Sequence, residues 1–283
     1  MMVTSATDLS PEEADRFRSF ERQRHDKLAA TYHDFFTPVT ALAIKPLLGA
    51  VGLRADTRLL DVATGPGALA AEVFKSGARP IGIDRSPGMI ELARNLHPGI
   101  DFRVAEVEHL PFTDRSFDAV VCNFGLGHFP QPESSIAECV RTLKRGGCLA
   151  LSWWDDPSRQ RIQGLFREAI AEIGAIPPPD VPAGYSILRF SDTDEFRRLL
   201  EGAGLSEVAV HVHRTTYLVV DVDTLWCGAL GSLAVTASAI AHQHAATRAA
   251  IRAALERKAA IYQTPNGLML PIAFKIGVGR KPG

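Results

Sequence analysis

Short apolar runs alternate with helical patterns through the first half of the chain. Apolar runs predict strands at 57–63, 80–83, 101–104, 117–122 and 148–153, with helices between them at 68–76, 86–96 and 133–144. Strands and helices that alternate at this spacing are typical of a parallel sheet with helices on both faces. Because the runs are continuously apolar, the strands are expected to be buried on both sides. The pattern therefore predicts an α/β fold with a doubly wound, Rossmann-like sheet.

Helical and β-rich segments flank this alternation. The run Ser10-Pro11-Glu12-Glu13 predicts a helix start, because Ser10 can cap the helix, Pro11 suits its first position and Glu13 can complete a capping box. The other predicted elements are helices at 39–51, 160–173 and 191–201, a stiff connector at 176–182, a β-rich run at 207–220, two helices within 222–262 and a strand at 268–278.

The outer helical segments predict a division of the chain. We expect an N-terminal helical lid over residues 1–50 and a Rossmann-like core over residues 51–283, with a helical cap inserted at about 222–264. Segments added to a rigid scaffold commonly carry binding specificity. The lid and the cap are therefore the parts expected to select the substrate.

Composition narrows the class of protein. Hydrophobic residues make up 46% of the 283 residues and charged residues 22%, and the net charge of −1 gives no reason to expect a nucleic-acid partner. The N-terminus lacks the basic and apolar regions of a signal peptide. The apolar run 225–241 is diluted by small residues and fits a buried helix better than a membrane span. We expect a cytoplasmic monomer or homodimer that acts on a small molecule.

The cysteines and histidines do not have the spacing of a metal site. Cys122, Cys139, Cys148 and Cys227 form no CxxC pair, and no histidine lies at a distance that suits zinc. Small buried side chains in a reducing compartment account for these cysteines. The sequence therefore predicts no metal.

The chemistry centres on a glycine-rich turn, Leu59-Leu60-Asp61-Val62-Ala63-Thr64-Gly65-Pro66-Gly67. In a doubly wound sheet, ligands bind at the carboxyl ends of strands near the point where the strand order reverses. Asp84 ends the next strand, where a carboxylate can accept both hydroxyls of a ribose. The same turn fits the dinucleotide pattern GxGxxA. The turn alone therefore predicts a nucleotide and leaves an NAD-dependent oxidoreductase open.

Further motifs follow this turn in a fixed order. They are Ile81-Gly82-Ile83-Asp84-Arg85-Ser86-Pro87-Gly88-Met89-Ile90, Val104 to Phe112, Ser116 to Val121, and Leu143-Lys144-Arg145-Gly146-Gly147-Cys148-Leu149. Together with the glycine turn they resemble the class I S-adenosylmethionine (SAM) methyltransferases, of the UbiE-like or type 11 group, over roughly residues 30–155. The resemblance implies a seven-stranded sheet whose last strand is antiparallel, whereas a dehydrogenase sheet usually continues in parallel.

The resemblance also implies which residues bind SAM, whose product is S-adenosyl-L-homocysteine. Gly65 and Gly67 would lie under the methionine part, and Asp61 would orient their loop or reach the amino group through water. The full set is Tyr32, Asp61, Ala63, Gly65, Gly67, Asp84, Arg85, Met89, Glu106, Val107 and Asn123.

Within that set, Asp84 would hold the ribose, and Arg85 and Met89 would flank the adenine. Glu106 stands where the family usually has Asp, and Val107 would meet the adenine edge through its backbone. Two other residues of the set would contact the cofactor near its methionine part.

On the methionine side, Asn123 would approach the cofactor from the end of the fourth strand. Tyr32 would close over the cofactor from an N-terminal element in which His33 stands between the family's Tyr and Asp.

Methyl transfer from a sulfonium needs mainly alignment and desolvation of the reactants, and an O or N acceptor adds the need for a general base. His128 is the first candidate base, since it lies on the loop after the fourth strand beside the expected methyl group; a structural role in that loop is the alternative. His33 is the second candidate, with a helix-surface role as its alternative.

An apolar acceptor pocket is expected beyond the fifth strand. Trp153 and Trp154 end that strand, and because strand neighbours point to opposite faces, one of them is expected to face the ligand. Phe36, Phe124 and Trp226 would add apolar walls. A mostly apolar pocket suits a lipophilic or aromatic metabolite.

The sequence therefore predicts a SAM-dependent methyltransferase that acts on an O, N or C atom of a small molecule. Two alternatives stay open at this stage. One is a non-methylating, cyclase-like member of the same fold that keeps the cofactor, and the other is the NAD-dependent oxidoreductase.

Overall fold

The computed structural model describes residues 9–176 and 188–283, which form one mixed sheet with helices on both faces. The strands are β1 Arg58–Val62, β2 Arg79–Asp84, β3 Asp101–Val104, β4 Phe117–Asn123, β5 Leu143–Trp154, β6 Ser206–Val219, β7 Gln263–Thr264 and β8 Gly267–Arg280. The helices are α1 Pro11–Phe35, α2 Thr37–Thr40, α3 Ile44–Val51, α4 Ala68–Lys75, α5 Pro87–Leu96, α6 Pro132–Thr142, α7 Arg161–Ile173, α8 Thr193–Gly202, α9 Val222–Leu230, α10 Ala234–Ala241 and α11 Ala245–Ala259.

The strand order confirms the predicted fold. The sheet runs β3-β2-β1-β4-β5-β8-β6, and the two-residue β7 pairs with β8 as an addition to the seven expected strands. Strands β1 to β5 pair in parallel, whereas β8 is antiparallel to both β5 and β6. The order reverses between β1 and β4, so the carboxyl ends of these strands form the crevice in which such sheets bind ligands.

The N-terminal helix begins as its sequence predicts. The Ser10 Oγ accepts the backbone N–H of Glu13 at 3.3 Å, and a Glu13 carboxylate oxygen accepts the backbone N–H of Ser10 at 2.9 Å. This reciprocal capping box satisfies donors that the first helical turn cannot pair internally.

Three of the predicted helical regions differ from the structure in their limits or in the number of helices. The helix expected at 133–144 ends at Thr142, because Leu143 is extended and already pairs with Phe117 in the sheet. The helix expected from Ser191 is instead capped by Asp192, whose carboxylate accepts two backbone N–H groups. The region 222–262 forms three helices rather than two. Of the predicted connector 176–182, all but its first residue lies outside the described residues.

Helix α1 joins the core to the C-terminal helices. The Asp26 carboxylate accepts the Ser86 hydroxyl at 2.5 Å and the Gly88 backbone N–H at 3.1 Å, at the start of α5. Two residues earlier, the Arg24 guanidinium donates to the Ser238 hydroxyl on α10 at 2.8 Å. Helix α1 therefore lies across the carboxyl edge of the sheet, between α5 and α10.

A membrane span requires a helix of sufficient length and apolar composition. Within residues 9–176 and 188–283, no single helix has both the length and the apolar composition of a span, and two consecutive pairs reach them only across bends of 67° and 99°.

Candidate active site

The carboxyl ends of β1, β2 and β4 open into a pocket that we call the glycine-loop pocket, because turn 63–66 lines it. Nine of the residues predicted to bind SAM line it: Tyr32, Asp61, Ala63, Gly65, Asp84, Arg85, Met89, Val107 and Asn123. Among the described residues, Gly67 and Glu106 are the two predicted binders that do not. The motifs thus converge on one pocket, although they are spread over 92 positions of the chain.

The two glycines of the turn are needed for different reasons. Gly65 has a φ of +53°, and a Cβ built on it would meet no atom within 4 Å, so its face of the loop is open to a ligand. Gly67 has a φ of +83°, and a Cβ there would lie 2.6 Å from the Phe102 ring. Gly67 therefore allows α4 to pack against β3. Ala63, with a φ of +55°, adopts a left-handed conformation that is rare for a residue with a Cβ.

Asp84 connects the glycine loop to helix α5. One carboxylate oxygen accepts the Gly65 backbone N–H at 3.0 Å, and the other accepts the Ser86 backbone N–H at 2.9 Å. An ionised carboxylate has about four acceptor positions. Each oxygen therefore retains capacity for a ligand hydroxyl while its orientation is fixed by the backbone.

Asp61 is a buried acid below the same loop. The Thr64 hydroxyl donates to one of its oxygens at 2.6 Å, and its Oδ1 is buried without a hydrogen-bond partner among the described residues. Burial raises the pKa of Asp61 to about 7, against hydrogen bonds that lower it. A positively charged group at this end of the pocket would favour the ionised form.

Arg85 and Glu106 lie at the opposite end. The Arg85 Nε is 3.5 Å from a Glu106 carboxylate oxygen. Both terminal nitrogens of Arg85 and the Glu106 Oε2 are buried with no hydrogen-bond partner among residues 9–176 and 188–283. Buried polar atoms are normally paired, so Arg85, which lines the pocket, keeps two donor nitrogens for a ligand there.

Asn123 links the end of β4 to the N-terminal helices. Its side-chain nitrogen donates to the Thr40 carbonyl at 3.1 Å, and its oxygen accepts the Ser152 hydroxyl at 2.7 Å. The Ser152 hydroxyl in turn accepts the backbone N–H of Phe124 at 2.9 Å. Asn123 therefore fixes the loop after β4 from both sides.

A second cavity adjoins the first, and we call it the aromatic pocket. Phe36, Phe124, Trp153 and Trp154 line it, as predicted. The Phe124 and Trp154 rings stack at a centroid distance of 3.7 Å and an interplanar angle of 17°. Phe124 has a φ of +57°, an unusual backbone conformation that is commoner at functional sites.

The expectation that only one of the two tryptophans faces this pocket is wrong. Trp153 and Trp154 both line it. Trp154 stacks on Phe124 and Trp153 packs edge to face against His128, and both of these partners line the pocket as well. A Cβ at Gly127 would overlap the Trp153 indole, so this glycine makes room for the ring under the loop after β4.

Trp226 lies away from the aromatic pocket, contrary to expectation. Its ring stacks against Phe166 at 5.8 Å, and the Arg252 guanidinium lies over it at 5.4 Å. It therefore packs α9 against α7 and α11. The helical pattern placed Trp226 on a cap but gave no information about the direction it faces.

Polar residues that the sequence analysis missed form one wall of the aromatic pocket. Gln160, Gln163 and Arg167 all line it, from the cap and one face of α7. The Gln160 side-chain oxygen accepts the Gln163 backbone N–H at 2.9 Å, which fixes the direction of the amide. Arg167 is exposed, and no ion-pair partner is found for it among the described residues. Their spacing of three and four residues was the available signal.

The two pockets share a wall. Glu21, His25, Tyr32, Phe124 and His128 line both of them. A Glu21 carboxylate oxygen lies 2.8 Å from the His128 Nδ1, and the His25 and His128 rings meet edge to face at 5.0 Å. His128, the first candidate base, therefore lies between the two cavities.

The charges of this shared wall are coupled. Burial alone would raise the pKa of Glu21, but His128, its hydrogen bond, His25 and Arg85 hold that pKa below its ordinary value. Burial lowers the pKa of His25, and the Glu21 carboxylate opposes this shift. A buried carboxylate beside a neutral His25 is the resulting arrangement.

Two predictions about the N-terminal helix differ in outcome. Tyr32 lines both pockets, whereas His33 lines neither, and its Nδ1 is buried without a hydrogen-bond partner among the described residues. Glu21 and His25 were missed, although both lie in register with the buried positions Ala14 and Phe17 of α1. A polar residue in the apolar stripe of a helix was the signal that could have found them.

Known proteins share this architecture. The sequence matches a family described as a methyltransferase domain over residues 60–151. A SAM-dependent methyltransferase from Thermotoga maritima superposes with a TM-score of 0.55 at 19% identity, covering 92% of this chain and 99% of that one. A Haemonchus contortus phosphoethanolamine N-methyltransferase, solved with S-adenosylhomocysteine, gives a TM-score of 0.51 at 14% identity, covering 85% of this chain and 52% of that one. These likenesses establish the methyltransferase fold.

Closer relatives define the family. The demethylmenaquinone methyltransferase of Chlorobaculum tepidum is 31% identical over 208 residues, which cover 67% of this chain and 86% of the relative. That of Chlorobaculum parvum is 37% identical with the same coverage. The chain belongs to the UbiE-like group of class I SAM-dependent methyltransferases. This membership and the antiparallel β8 exclude the NAD-dependent oxidoreductase that the glycine turn had left open.

Proposed function

We propose that this methyltransferase transfers the methyl group of SAM to a planar aromatic small molecule. The observation that carries the proposal is the shared wall: a pocket with the cofactor motifs and a pocket with aromatic sides meet at His128, Glu21 and Tyr32. A methyl donor in one and an acceptor in the other would face each other across that wall. Proximity of this kind is the main requirement of methyl transfer.

The glycine-loop pocket fits SAM in its polar groups. Asp84 would take the ribose hydroxyls, because both of its oxygens keep acceptor capacity. Gly65 offers an open backbone face to the methionine part, near the Asp61 oxygen that has no partner among the described residues and Asn123. Tyr32 would cover the cofactor from α1. The prediction of Gly67 as a direct contact has less support, because its Cβ direction is filled by packing.

At the adenine end, Met89 and Val107 supply apolar contacts, and Arg85 carries donors with no partner among the described residues. Glu106 is held 3.5 Å from Arg85 and does not line the pocket. We therefore assign Glu106 to the orientation of Arg85 rather than to adenine itself.

The acceptor is proposed from the aromatic pocket and the relatives together. Phe36, Phe124, Trp153 and Trp154 would pack against a ring, and aromatic rings favour offset or edge-to-face contacts at such distances. The curated relatives are named for methylation of demethylmenaquinone. A quinol-like ring system is therefore the acceptor class we propose, with Arg167 at the polar wall free to contact an oxygen substituent.

His128 is proposed as the general base. When bound, SAM supplies a methyl group on a positively charged sulfur, and that sulfur keeps the bonding electrons as S-adenosyl-L-homocysteine is formed. The His128 Nε2 would take the proton from the acceptor O–H, N–H or acidic C–H group. The electron pair released on the acceptor then forms the new bond to the methyl carbon, and the proton leaves later from the imidazolium to solvent.

The lid and the cap are proposed to enclose the acceptor. Helix α1 and residues 232–236, which end the turn after α9 and begin α10, line the aromatic pocket. Because α1 also lines the glycine-loop pocket, its docking would exclude water from both reactants at once.

A labelled-methyl assay tests the proposal. The protein is incubated with methyl-labelled SAM at a subsaturating concentration and phenols, naphthols and reduced naphthoquinones without a ring methyl group, with Asp84→Ala as the control of weakened SAM binding. We expect label in a ring-bearing acceptor, and NMR of the product identifies the methylated atom. Transfer only to non-aromatic acceptors would refute the aromatic class. Tight SAM binding with no transfer to any acceptor would instead identify a non-methylating, cyclase-like protein.

A further inference from the structure

We propose that Glu21, on the lid helix α1, is the positioning residue that orients His128 for proton transfer. The proposal rests on the function proposed above and extends it, because Glu21 belongs to none of the cofactor motifs. It makes the docking of α1 and the assembly of the base a single event.

The hydrogen bond fixes the tautomer of His128. Its Nδ1 is 2.8 Å from a Glu21 carboxylate oxygen, and an ionised carboxylate only accepts, so Nδ1 carries the proton and donates. In the neutral imidazole, Nε2 then has the free lone pair. The His128 side chain is 40% exposed, whereas that of Glu21 is 3% exposed. The imidazole is therefore accessible from the cavities, whereas the Glu21 carboxylate borders them with almost no exposed surface.

His25 flanks the same carboxylate, because its Nδ1 lies 3.4 Å from the Glu21 oxygen that His128 contacts at 2.8 Å. The His25 Nδ1 also lies 2.8 Å from the Glu21 backbone carbonyl, which only accepts, so this nitrogen is a donor within α1. The His25 ring packs edge to face on the His128 ring at 5.0 Å. Packing of the His25 ring against the His128 ring restricts rotation of the His128 side chain.

Glu21 supplies the counter-charge for a proton that His128 receives during the reaction. The charged or titratable groups around it are Glu21 and His25 from α1 and, near that pair, Arg85 and Asp84 at the end of β2. Of these groups, Glu21 is the one that forms a hydrogen bond with His128. A buried carboxylate is unfavourable without a partner, so a proton that moves from the acceptor to His128 gives Glu21 a full counter-charge and stabilises the product of that step.

The lid couples to this pair through Asp26. The Asp26 carboxylate accepts the Ser86 hydroxyl and the Gly88 backbone N–H at the start of α5, next to the end of β2. Glu21 and Asp26 lie on the same helix, whereas His128 belongs to the core loop after β4. Glu21 therefore reaches His128 only when α1 is docked on α5.

A divalent metal ion is the other chemistry that these residues suggest. Ligand atoms of Glu21, His25 and His128 lie within 4.8 Å of one another, and two imidazoles with one carboxylate suit a transition metal. The hydrogen bonds favour the dyad, because the Nδ1 atoms of both histidines are already committed as donors. Metal binding at these three residues is therefore treated as an alternative result that the experiments below can detect.

The test compares Glu21→Gln with Glu12→Gln, an exposed glutamate on the same helix. For Glu21→Gln we expect kcat to fall roughly 100-fold or more, with SAM affinity unchanged within about twofold and the acid limb of the kcat profile moved to lower pH. Glu21→Asp should recover part of the rate. Thermal melting checks that each variant folds. An equal loss of SAM affinity and rate, with an unshifted pH profile, would make Glu21 merely structural and overturn the proposal.

Two further measurements are independent of turnover. The downfield Nδ1–H proton signal of His128, assigned with His128→Gln, should be present in the wild type and lost in Glu21→Gln. Its presence without any methyl transfer would reject the proposed function while retaining the hydrogen-bonded pair, and its absence from the wild type would overturn the pair. Loss of wild-type activity on chelation, with recovery on adding Zn²⁺, Mn²⁺ or Fe²⁺ alone, would overturn the dyad in favour of a metal site.

Discussion

The glycine-loop pocket and the aromatic pocket are built in different ways. The first is made of short motifs at the carboxyl ends of β1, β2 and β4, whose positions the sheet fixes. The second joins the end of β5 to residues of α1, α7, the turn after α9 and the start of α10. The first pocket therefore inherits the rigidity of the core, and the second depends on how separate helices dock. A change in how these helices dock would therefore alter the aromatic pocket and leave the glycine-loop pocket in place.

The largest expected effect concerns the wall between the pockets. His128→Gln should lower kcat by about 10²–10⁴-fold, the usual contribution of a positioned general base. SAM affinity should change little, because the backbone and not the imidazole of this loop is tied to the sheet. Stopped assays with saturating SAM measure the effect, and His244→Gln, an exposed helix cap, is the matched control. A fall of less than threefold would assign His128 to the loop structure.

The second-largest expected effect concerns the glycine-loop pocket alone. Asp84→Ala should weaken SAM binding by about 1–3 kcal/mol, the scale of hydrogen bonds to a charged group. It also removes the link between the Gly65 N–H and the start of α5. Calorimetry with S-adenosylhomocysteine measures the loss, with Asp101→Asn, a surface carboxylate of β3, as control. Unchanged affinity would exclude Asp84 from the cofactor site.

A third prediction uses the buried acid of the rigid pocket. The folded pKa of Asp61 is about 7, above its ordinary value near 4, so the folded protein retains this proton where the unfolded chain has lost it. Stability therefore falls as pH rises between about 4 and 7, by up to about 1.4 kcal/mol per pH unit. Asp61→Asn lacks this contribution.

Urea unfolding of the cofactor-free protein measures how Asp61 contributes to the pH dependence of the free energy of unfolding. The stability of Asp61→Asn relative to wild type should increase from pH 5 to pH 7 and then level off. Parallel curves for the two proteins over this range would contradict the raised pKa. The same variant should bind SAM more weakly above pH 7, where the wild-type carboxylate can face the positive charge of the cofactor.

The smallest expected effect concerns Arg167, at the polar wall of the aromatic pocket. Arg167→Gln should weaken binding of an anionic acceptor such as 1-hydroxy-2-naphthoate by about twofold to fivefold, the scale of an exposed ion pair. Binding of neutral 1-naphthol should stay the same. Calorimetry on protein saturated with S-adenosylhomocysteine gives both values, and Arg22→Gln on the exposed face of α1 is the control. Equal losses for the two ligands would assign Arg167 a packing role.

Sequence reasoning succeeded where chemistry is local in the chain. The turn at Gly65 and the acid at Asp84 belong to motifs next to strands, and parallel strands bring their carboxyl ends to one edge. Trp226 failed for the opposite reason, since the face of a helix is set by what packs against it. Glu21 was missed because its hydrogen-bond partner His128 lies 107 residues away.

The amino-acid sequence alone determined the alternation of strands and helices, the methyltransferase family and most of the residues around the glycine loop. These follow from periodicity and from short motifs, whose geometry is set by neighbours in the chain. Only the tertiary structure decided that both tryptophans line one pocket, that Gly67 serves packing, and that a carboxylate on α1 holds the histidine of a distant loop. Such contacts depend on how separately formed elements dock, because side chains from distant segments meet only after the core has packed.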